Sequence, residues 1–193
     1  MTKLKINLLA FKNAPESIFN NAISRLEKLI SSNNYLITED NPDILFFLTG
    51  GSEQSAIKQV KEGVFYILIG SKHDNSYSSA TEVKAALNSK TIKSVLLDEE
   101  EDTTKEFLND FLKIKRGLNS LKNKRLGLIG EVSEWLISST ITSETLYSKL
   151  GVKLIKVPWS KIDHFSNFKV SEPFLKSFEG RGQIDLSDTA RVN

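Results

Sequence analysis

Three polar, glycine-containing segments follow apolar runs that have the composition of strands. The first is Gly50-Gly51-Ser52-Glu53, the second runs from Gly70 to Ser76, and the third runs from Gly130 to Leu136. In an open parallel sheet, the loops at the carboxyl ends of the strands lie along one edge, and ligands bind at that edge. We therefore expect the three segments to share a rim that carries the function.

The segment Gly50-Gly51-Ser52-Glu53 joins a predicted strand to a predicted helix. Glycines let the backbone approach a ligand, and the first N–H groups of a helix attract anions or hydroxyls. The structural alternative is a tight turn in which Ser52 caps the helix. No Gly-Lys-Ser/Thr follows, and the chain has no Gly-x-Gly-x-x-Gly fingerprint, so the pattern indicates neither a phosphate loop nor a dinucleotide site.

The second segment holds four consecutive polar residues, His73-Asp74-Asn75-Ser76. His73 has the chemistry to titrate near neutral pH or to bind a metal. The chain has two histidines, so a metal site at His73 would need carboxylates to complete it, and no spacing suggests such a set; we therefore predict no metal site. Asn75 and Ser76 are candidates for substrate binding, or they order the loop and start the next helix.

The third segment contains Ser133-x-Trp135-Leu136 after Gly127-Leu128-Ile129-Gly130. Trp135 is either a core anchor or a surface on which a ligand stacks. The acidic run at residues 98–102 is interpreted as solvated charge ahead of a helix rather than as a cation site. Two histidines do not assemble a set of nucleophile, base and orienting group, so no catalytic residue is assigned.

Composition excludes several classes of function. The 193 residues carry a net charge of +2, which is too small to indicate nucleic acid or membrane as a partner. Cysteine is absent, so disulfides, thiolate catalysis and cysteine zinc sites are excluded. No stretch approaches the roughly 20 apolar residues of a membrane span. The first residues do not have the pattern of a signal peptide, so we expect a cytoplasmic protein.

Apolar spacing predicts five strands alternating with helices over residues 1–121. The spacings Ser79–Glu82 and Thr103–Glu106 are typical of capping boxes and place two helix starts. The alternation favours an α/β domain with a flavodoxin-like, doubly wound, parallel five-stranded sheet. The predicted strands are residues 4–11, 35–38, 43–49, 64–69 and 92–97, and the first two predicted helices are residues 18–30 and 52–61.

The pattern starts again after residue 124. A strand at 125–129, a helix at 143–150 ended by Gly151, and a strand at 153–157 make one βαβ unit, too small to bury a core of its own. We therefore predict an amino-terminal domain at 1–121 and a partial second α/β domain at 122–193. Its irregular tail includes Gly180-Arg181-Gly182 and the last ten residues.

Three segments together resemble the amino-terminal half of L-fucose/L-arabinose isomerase-like proteins, with matching order and spacing over residues 4–160. They are residues 49–53, residues 75–82, and residues 126–130 followed by Ser133-x-Trp135-Leu136-Ile137-x-Ser139. The resemblance implies stacked α/β domains that assemble into hexamers or similar oligomers. It also implies a reaction that interconverts aldoses and ketoses and depends on Mn²⁺.

The resemblance further implies that the loop after the first strand touches sugar, and here that loop is Phe11-Lys12-Asn13, with Lys12 as the contact. The metal ligands of such proteins lie beyond the matched residues, so no cofactor is assigned to this chain. Isomerisation needs a metal to polarise a carbonyl and a base to move a proton. We therefore expect this chain to be the amino-terminal region of a sugar isomerase-like protein and not to be catalytic alone. Its expected partners are a sugar and either further copies of this chain or a separate catalytic chain. The alternative is a non-catalytic sugar- or metabolite-binding or oligomerisation module.

Overall fold

The apolar runs form a sheet of five parallel strands in the order β2-β1-β3-β4-β5. The structure is a computed structural model, which describes residues 2–137, 140–164 and 167. Most of these strands are nearly continuous apolar runs, as is typical of parallel strands that are covered on both faces. The strands are β1 (Leu4–Leu9), β2 (Tyr35–Ile37), β3 (Ile44–Phe47), β4 (Tyr66–Gly70) and β5 (Ser94–Asp98).

Four helices cover the two faces of this sheet. They are α1 (Glu16–Leu29), α2 (Glu53–Gln59), α3 (Ser76–Ser89) and α4 (Asp102–Leu121). The central strand β3 is fully buried, and its side chains alternate between the faces. Ile44 and Phe46 join the core formed with α1 and α4. Leu45 and Phe47 join the core formed with α2 and α3. The predicted flavodoxin-like, doubly wound architecture is confirmed.

Helix α3 begins at Ser76, so the interpretation that Asn75 and Ser76 start the helix is confirmed, and the capping-box spacing at Ser79 puts the start three residues too late. Asn75 precedes the helix with a left-handed φ of 57°. The N–H of Ser76 donates to the carbonyl of His73 at 3.0 Å, and the N–H of Tyr77 donates to the carbonyl of Ser71 at 2.9 Å. Because loop carbonyls satisfy the first N–H groups, the helix needs no side-chain cap. Ser79 lies one turn inside the helix. Helix α4 likewise begins at Asp102, so Thr103 lies inside it.

Strand β1 ends at Leu9, two residues before the apolar run ends. The backbone leaves the sheet at Phe11, whose N–H donates to the Thr49 hydroxyl at 2.9 Å and whose side chain is 42% exposed. Apolar content alone therefore overestimates this strand, because Phe11 belongs to the rim rather than to the core.

Contacts divide the chain into two units, Met1–Ser120 and Leu121–Asn193. The second unit contains β6 (Arg125–Ile129), α5 (Ser143–Leu150) and β7 (Lys153–Val157). Gly151 ends α5 with a left-handed φ of 67°, as its position in the sequence predicts. Ser139, Gly180-Arg181-Gly182 and the last ten residues lie outside the described part of the chain.

Strands β6 and β7 form a parallel sheet of their own. The turn that carries Trp135 therefore follows a strand outside the five-stranded sheet. The prediction that all three segments share one rim is wrong for this third segment, because apolar runs predict strands and not the sheet that each strand joins. Of the helices in the described residues, none is long and apolar enough to cross a membrane.

Candidate functional site

The strand order reverses at β1, which has β2 on one side and β3 on the other. In doubly wound sheets, ligands bind at such a switch point, outside the carboxyl ends of the strands. Here the switch point is bordered by the loop after β1, which contains Phe11, Lys12 and Asn13, and the loop after β3, which contains Gly50 and Gly51. We call these two loops and the loop after β4 (residues 71–75) the rim.

The loops after β1 and β3 are fastened to each other. The N–H of Leu48 donates to the carbonyl of Leu9 at 2.7 Å, which continues the ladder past the end of β3. Beyond it, Gly51 has a φ of +76°, and a Cβ added there would lie 3.4 Å from the Cβ of Phe11. Glycine is favoured at this position because most other residues disfavour this backbone conformation. Lys12 and Asn13 are exposed beside it.

The loops after β3 and β4 are also fastened to each other. The N–H of Gly50 donates to the carbonyl of Asp74 at 2.7 Å, and a Cβ added at Gly50 would lie 3.1 Å from that of Asn75. The Ser76 hydroxyl donates to the carbonyl of Phe47 at 2.6 Å and accepts from the N–H of Ser71 at 3.0 Å. The structure therefore brings Gly50, Asn75 and Ser76 together. The hydroxyl of the buried Ser76 is used in hydrogen bonds between the two loops.

Ser52 and Glu53 belong to a buried network that connects α2 to α3. The Ser52 hydroxyl donates to the carbonyl of Thr49 at 3.0 Å. The Ser79 hydroxyl donates to Glu53 Oε1 at 2.6 Å, and the two serine oxygens lie 3.2 Å apart. The bond from Ser79 is the main reason that the pKa of the Glu53 carboxyl lies below its ordinary 4.5. The sequence alone misses Ser79 as a member of this network because its partner is 26 residues away.

The start of α3 is not a free anion site, because loop carbonyls already accept from the N–H groups of Ser76 and Tyr77. At α2, Glu53 Oε1 accepts from the N–H of Gly51 at 3.3 Å, and Gly51 lies two residues before the helix begins. The N–H groups of α2 itself are therefore not used by this bond. The exposed residues of the rim are Phe11, Lys12, Asn13 and Gly51 in its first two loops, and Lys72, His73, Asp74 and Asn75 in its third.

Four residues of the rim have a left-handed backbone, and they come from all three loops. The φ angles are 66° at Asn13, 76° at Gly51, 53° at Asp74 and 57° at Asn75. For residues other than glycine, such angles cost energy and persist only where the surroundings enforce them. Asparagine and aspartate tolerate such angles best after glycine, so these residues mark the sharp turns of the rim, and the hydrogen bonds between the loops join them.

A charged cleft of about 830 Å³ lies beside the rim, between α1, the β4–α3 loop and the start of α4. Arg25 donates from Nε to Glu99 Oε1 at 2.7 Å and from Nη2 to Glu99 Oε2 and to the Ser71 hydroxyl. Its guanidinium also lies 5.4 Å from the centroid of the Phe46 ring. These groups are committed to each other. The acidic run is therefore not simply solvated charge, because Glu99 forms a partly buried ion pair.

His73 lies on the margin of this cleft. Its Nε2 is 3.2 Å from Glu100 Oε1, and the Lys72 ammonium is 3.4 Å from Glu100 Oε2. Among the described residues, no three acidic, histidine or cysteine side chains group as metal ligands would. Trp135 belongs to the second unit and is 80% exposed, so it is not a core anchor there.

Comparison with known proteins adds no relative. No protein-family model matches the sequence, and the curated proteins contain no significant match to it.

Proposed function

We propose that this chain is a non-catalytic, sugar-binding part of a sugar isomerase-like protein, and that the rim of its five-stranded unit receives the sugar. The observation that carries the proposal is the pair of backbone hydrogen bonds, from Leu48 to Leu9 and from Gly50 to Asp74, that join three adjacent loops at the switch point. Prior ordering of a site lowers the entropic cost of binding.

The chemistry of the exposed groups supports a polar, uncharged or weakly anionic ligand with an apolar face. Phe11 offers a ring that is 42% exposed, on which the C–H face of a sugar can stack. Lys12 offers three N–H donors, and the amides of Asn13 and Asn75 offer both donors and acceptors. Gly51 leaves room beside Phe11. This combination matches the alternating hydroxyl and C–H surfaces of a monosaccharide.

In this proposal the Mn²⁺ ion and its ligands are supplied from outside the residues described here, by a further segment or a separate catalytic chain. Isomerisation needs a polarised carbonyl and a base in reach of the substrate. Of the side chains exposed at the rim, His73 and Asp74 carry groups that can accept a proton. Among the described residues, no acidic or histidine side chains group with them as metal ligands would, so the proposal assigns the metal to another part of the protein. The proposal includes a cytoplasmic location and a homo-oligomer or a separate catalytic chain as partner.

Isothermal titration calorimetry with pentoses and 6-deoxyhexoses tests the proposal. We expect saturable binding of at least one sugar, and about a tenfold weaker Kd for Lys12→Ala, since a hydrogen bond to a charged group contributes about 1.5–3 kcal/mol. Lys93→Ala is the matched control, because Lys93 is an exposed lysine just before β5, at the opposite edge of the sheet. Absence of binding to every sugar would overturn the proposal, and so would Mn²⁺-dependent ketose formation by this chain alone.

An oligomerisation module is the second candidate. The observation that favours it is the exposed apolar surface of β6 and β7, where Leu126 and Ile129 are 51% and 47% exposed. Parallel strands are normally covered on both faces. The two candidates are compatible, because the rim belongs to the five-stranded unit and the exposed strands belong to the second unit.

A further inference from the structure

Within the described residues, the backbone groups on the outer edge of β6 have no strand partner. On its inner edge, the carbonyl of Lys124 accepts from β7 at 2.8 Å, and the N–H of Gly130 donates to β7 at 2.9 Å. Alternate residues of a parallel strand direct their N–H and C=O groups to opposite edges. Among the described strands, only β7 pairs with β6. The groups directed to the open edge therefore belong to Arg125, Gly127 and Ile129.

The two edges of this small sheet differ in composition. Strand β7 carries Lys153 and Lys156, and lysines on an edge strand discourage pairing with another chain. Strand β6 carries one charge, at its first residue, followed by Leu126, Gly127, Leu128 and Ile129. An edge with this composition is suited to being paired.

Gly127 lies at the middle of β6, where glycine weakens a strand. No described atom lies within 4 Å of a Cβ built there, so nothing within the described part of the chain requires the glycine. Glycine inside a strand is typical of a place that another backbone approaches closely.

The strand is complementary to itself in the antiparallel direction. With a two-fold axis at Gly127, the residues directed to the open edge pair with one another: Gly127 with Gly127 of a second copy, and Arg125 with its Ile129. Each such pair exchanges two N–H···O bonds, about six in all. Leu126 then faces Leu128 of the second copy in the closer, non-bonded positions, where apolar side chains pack best.

Charge supports the same register. Arg125 begins the strand, and Glu131 follows its end by two residues. Glu131 lies 3.8 Å from Lys156, in an ion pair that is largely exposed and therefore weak. An antiparallel pair would place Arg125 of one copy near Glu131 of the other at both ends of the contact, within reach of long side chains.

We propose that β6 pairs antiparallel with β6 of a second copy of this chain, forming the four-stranded sheet β7-β6-β6-β7 across a two-fold axis. The proposal deepens the oligomerisation candidate and does not depend on sugar binding. Isologous contacts of this kind close as dimers. The pairing would cover part of the exposed Leu126 and Ile129 side chains.

Sedimentation velocity of the full chain with Gly127→Pro tests the pairing. The N–H of Gly127 is directed to the open edge, so proline there costs no bond within the chain and is tolerated on an edge strand. We expect a dimer for the unmodified protein at about 100 µM, a monomer for Gly127→Pro, and a dimer for the matched control Gly127→Ala. The proposal is overturned by an unmodified protein that sediments as a monomer, or by a Gly127→Pro variant that keeps the dimer.

A charge exchange keeps the test informative if Gly127→Pro does not fold. Arg125→Glu alone should weaken the dimer severalfold, and the double variant Arg125→Glu/Glu131→Arg should restore it, because like charges are exchanged for opposite ones. If the dimer of the double variant dissociates as readily as that of Arg125→Glu, the proposed register is contradicted. The Kd for sugar, measured by calorimetry, should be unchanged in all these variants. This measurement distinguishes failure of the pairing from failure of the proposed function.

Discussion

The Glu53 carboxylate decides how the two serine hydroxyls beside it are oriented. Ser79 donates its single hydrogen to Glu53, so the contact between the two serines can take its hydrogen only from Ser52, whose hydroxyl lies 3.0 Å from the carbonyl of Thr49 and 3.2 Å from the Ser79 oxygen. Both serines are buried. The carboxylate is therefore the acceptor that allows a buried hydroxyl pair to exist between α2 and α3.

Replacing Glu53 by Gln should destabilise the protein most at neutral pH. The folded-state pKa of Glu53 lies below its ordinary 4.5, so its ionised form stabilises the fold above that pH, and the contribution is lost as pH falls through the folded-state pKa. Urea unfolding at pH 7 and at pH 3 measures this. We expect the unfolding free energies of the unmodified protein and Glu53→Gln to differ more at pH 7 than at pH 3.

Ser79→Ala provides the companion measurement. It removes the largest cause of the lowered pKa and should reduce the pH dependence that Glu53 contributes, while leaving the carboxylate in place. A difference between unmodified protein and Glu53→Gln that is the same at both pH values would show that the carboxylate does not act through its charge.

At the scale of elements, the β4–α3 junction is the tightest backbone contact of the rim. A Cβ added at Gly70 would lie 2.8 Å from the Cα of Tyr77 and 3.1 Å from its N, and these backbone atoms cannot turn aside as a side chain can. This close approach places the first turn of α3 against the end of β4, and so it fixes where Asn75 stands.

Gly70→Ala should therefore destabilise the fold by about 1–3 kcal/mol, the usual cost of overpacking. Gly117→Ala is the matched control, because Gly117 lies in α4 with nothing within 4 Å of its added Cβ. The second variant should be stabilised by about 0.5–1 kcal/mol, since alanine is the better helix former. Urea unfolding monitored by circular dichroism measures both. Equal effects of the two substitutions would contradict a specific contact at Gly70.

At the scale of the whole molecule, the two units have very different cores. Both apolar clusters, one on each face of the five-stranded sheet, are formed by residues before position 113. In the described part of the second unit, the buried apolar side chains are Leu146 and Val152. A two-stranded sheet with so small a core is marginal in water.

A polypeptide of residues 1–121 should therefore fold alone and unfold cooperatively, with a Tm close to that of the main transition of the full chain. A polypeptide of residues 121–193 should show no cooperative transition unless a partner binds it. Circular dichroism melting of the two polypeptides checks both outcomes. A cooperative transition for residues 121–193 in dilute solution would show that the second unit has a stronger core than its described residues supply.

The amino-acid sequence by itself determines the alternation of strands and helices, because that alternation follows from local apolar spacing. Local sequence patterns also predict that α5 ends at Gly151 and that the fold is doubly wound. Of the predicted binding residues, the sequence places Gly50, Gly51 and Asn75 at loop positions next to each other in the fold. Any parallel sheet brings consecutive carboxyl-end loops to one edge.

Only the tertiary structure decides which of those residues are available to a ligand. The hydroxyls of Ser52 and Ser76 form hydrogen bonds within the fold. Arg25 forms an ion pair with Glu99, which lies 74 residues away in the sequence. Trp135 follows a strand of a different sheet. The physical reason is that hydrogen-bond partners, ion pairs and strand neighbours far apart in the chain leave no mark in local spacing. The open edge of β6 was not predictable either: its apolar composition is local, but that no other described strand pairs with this edge is known only from the fold.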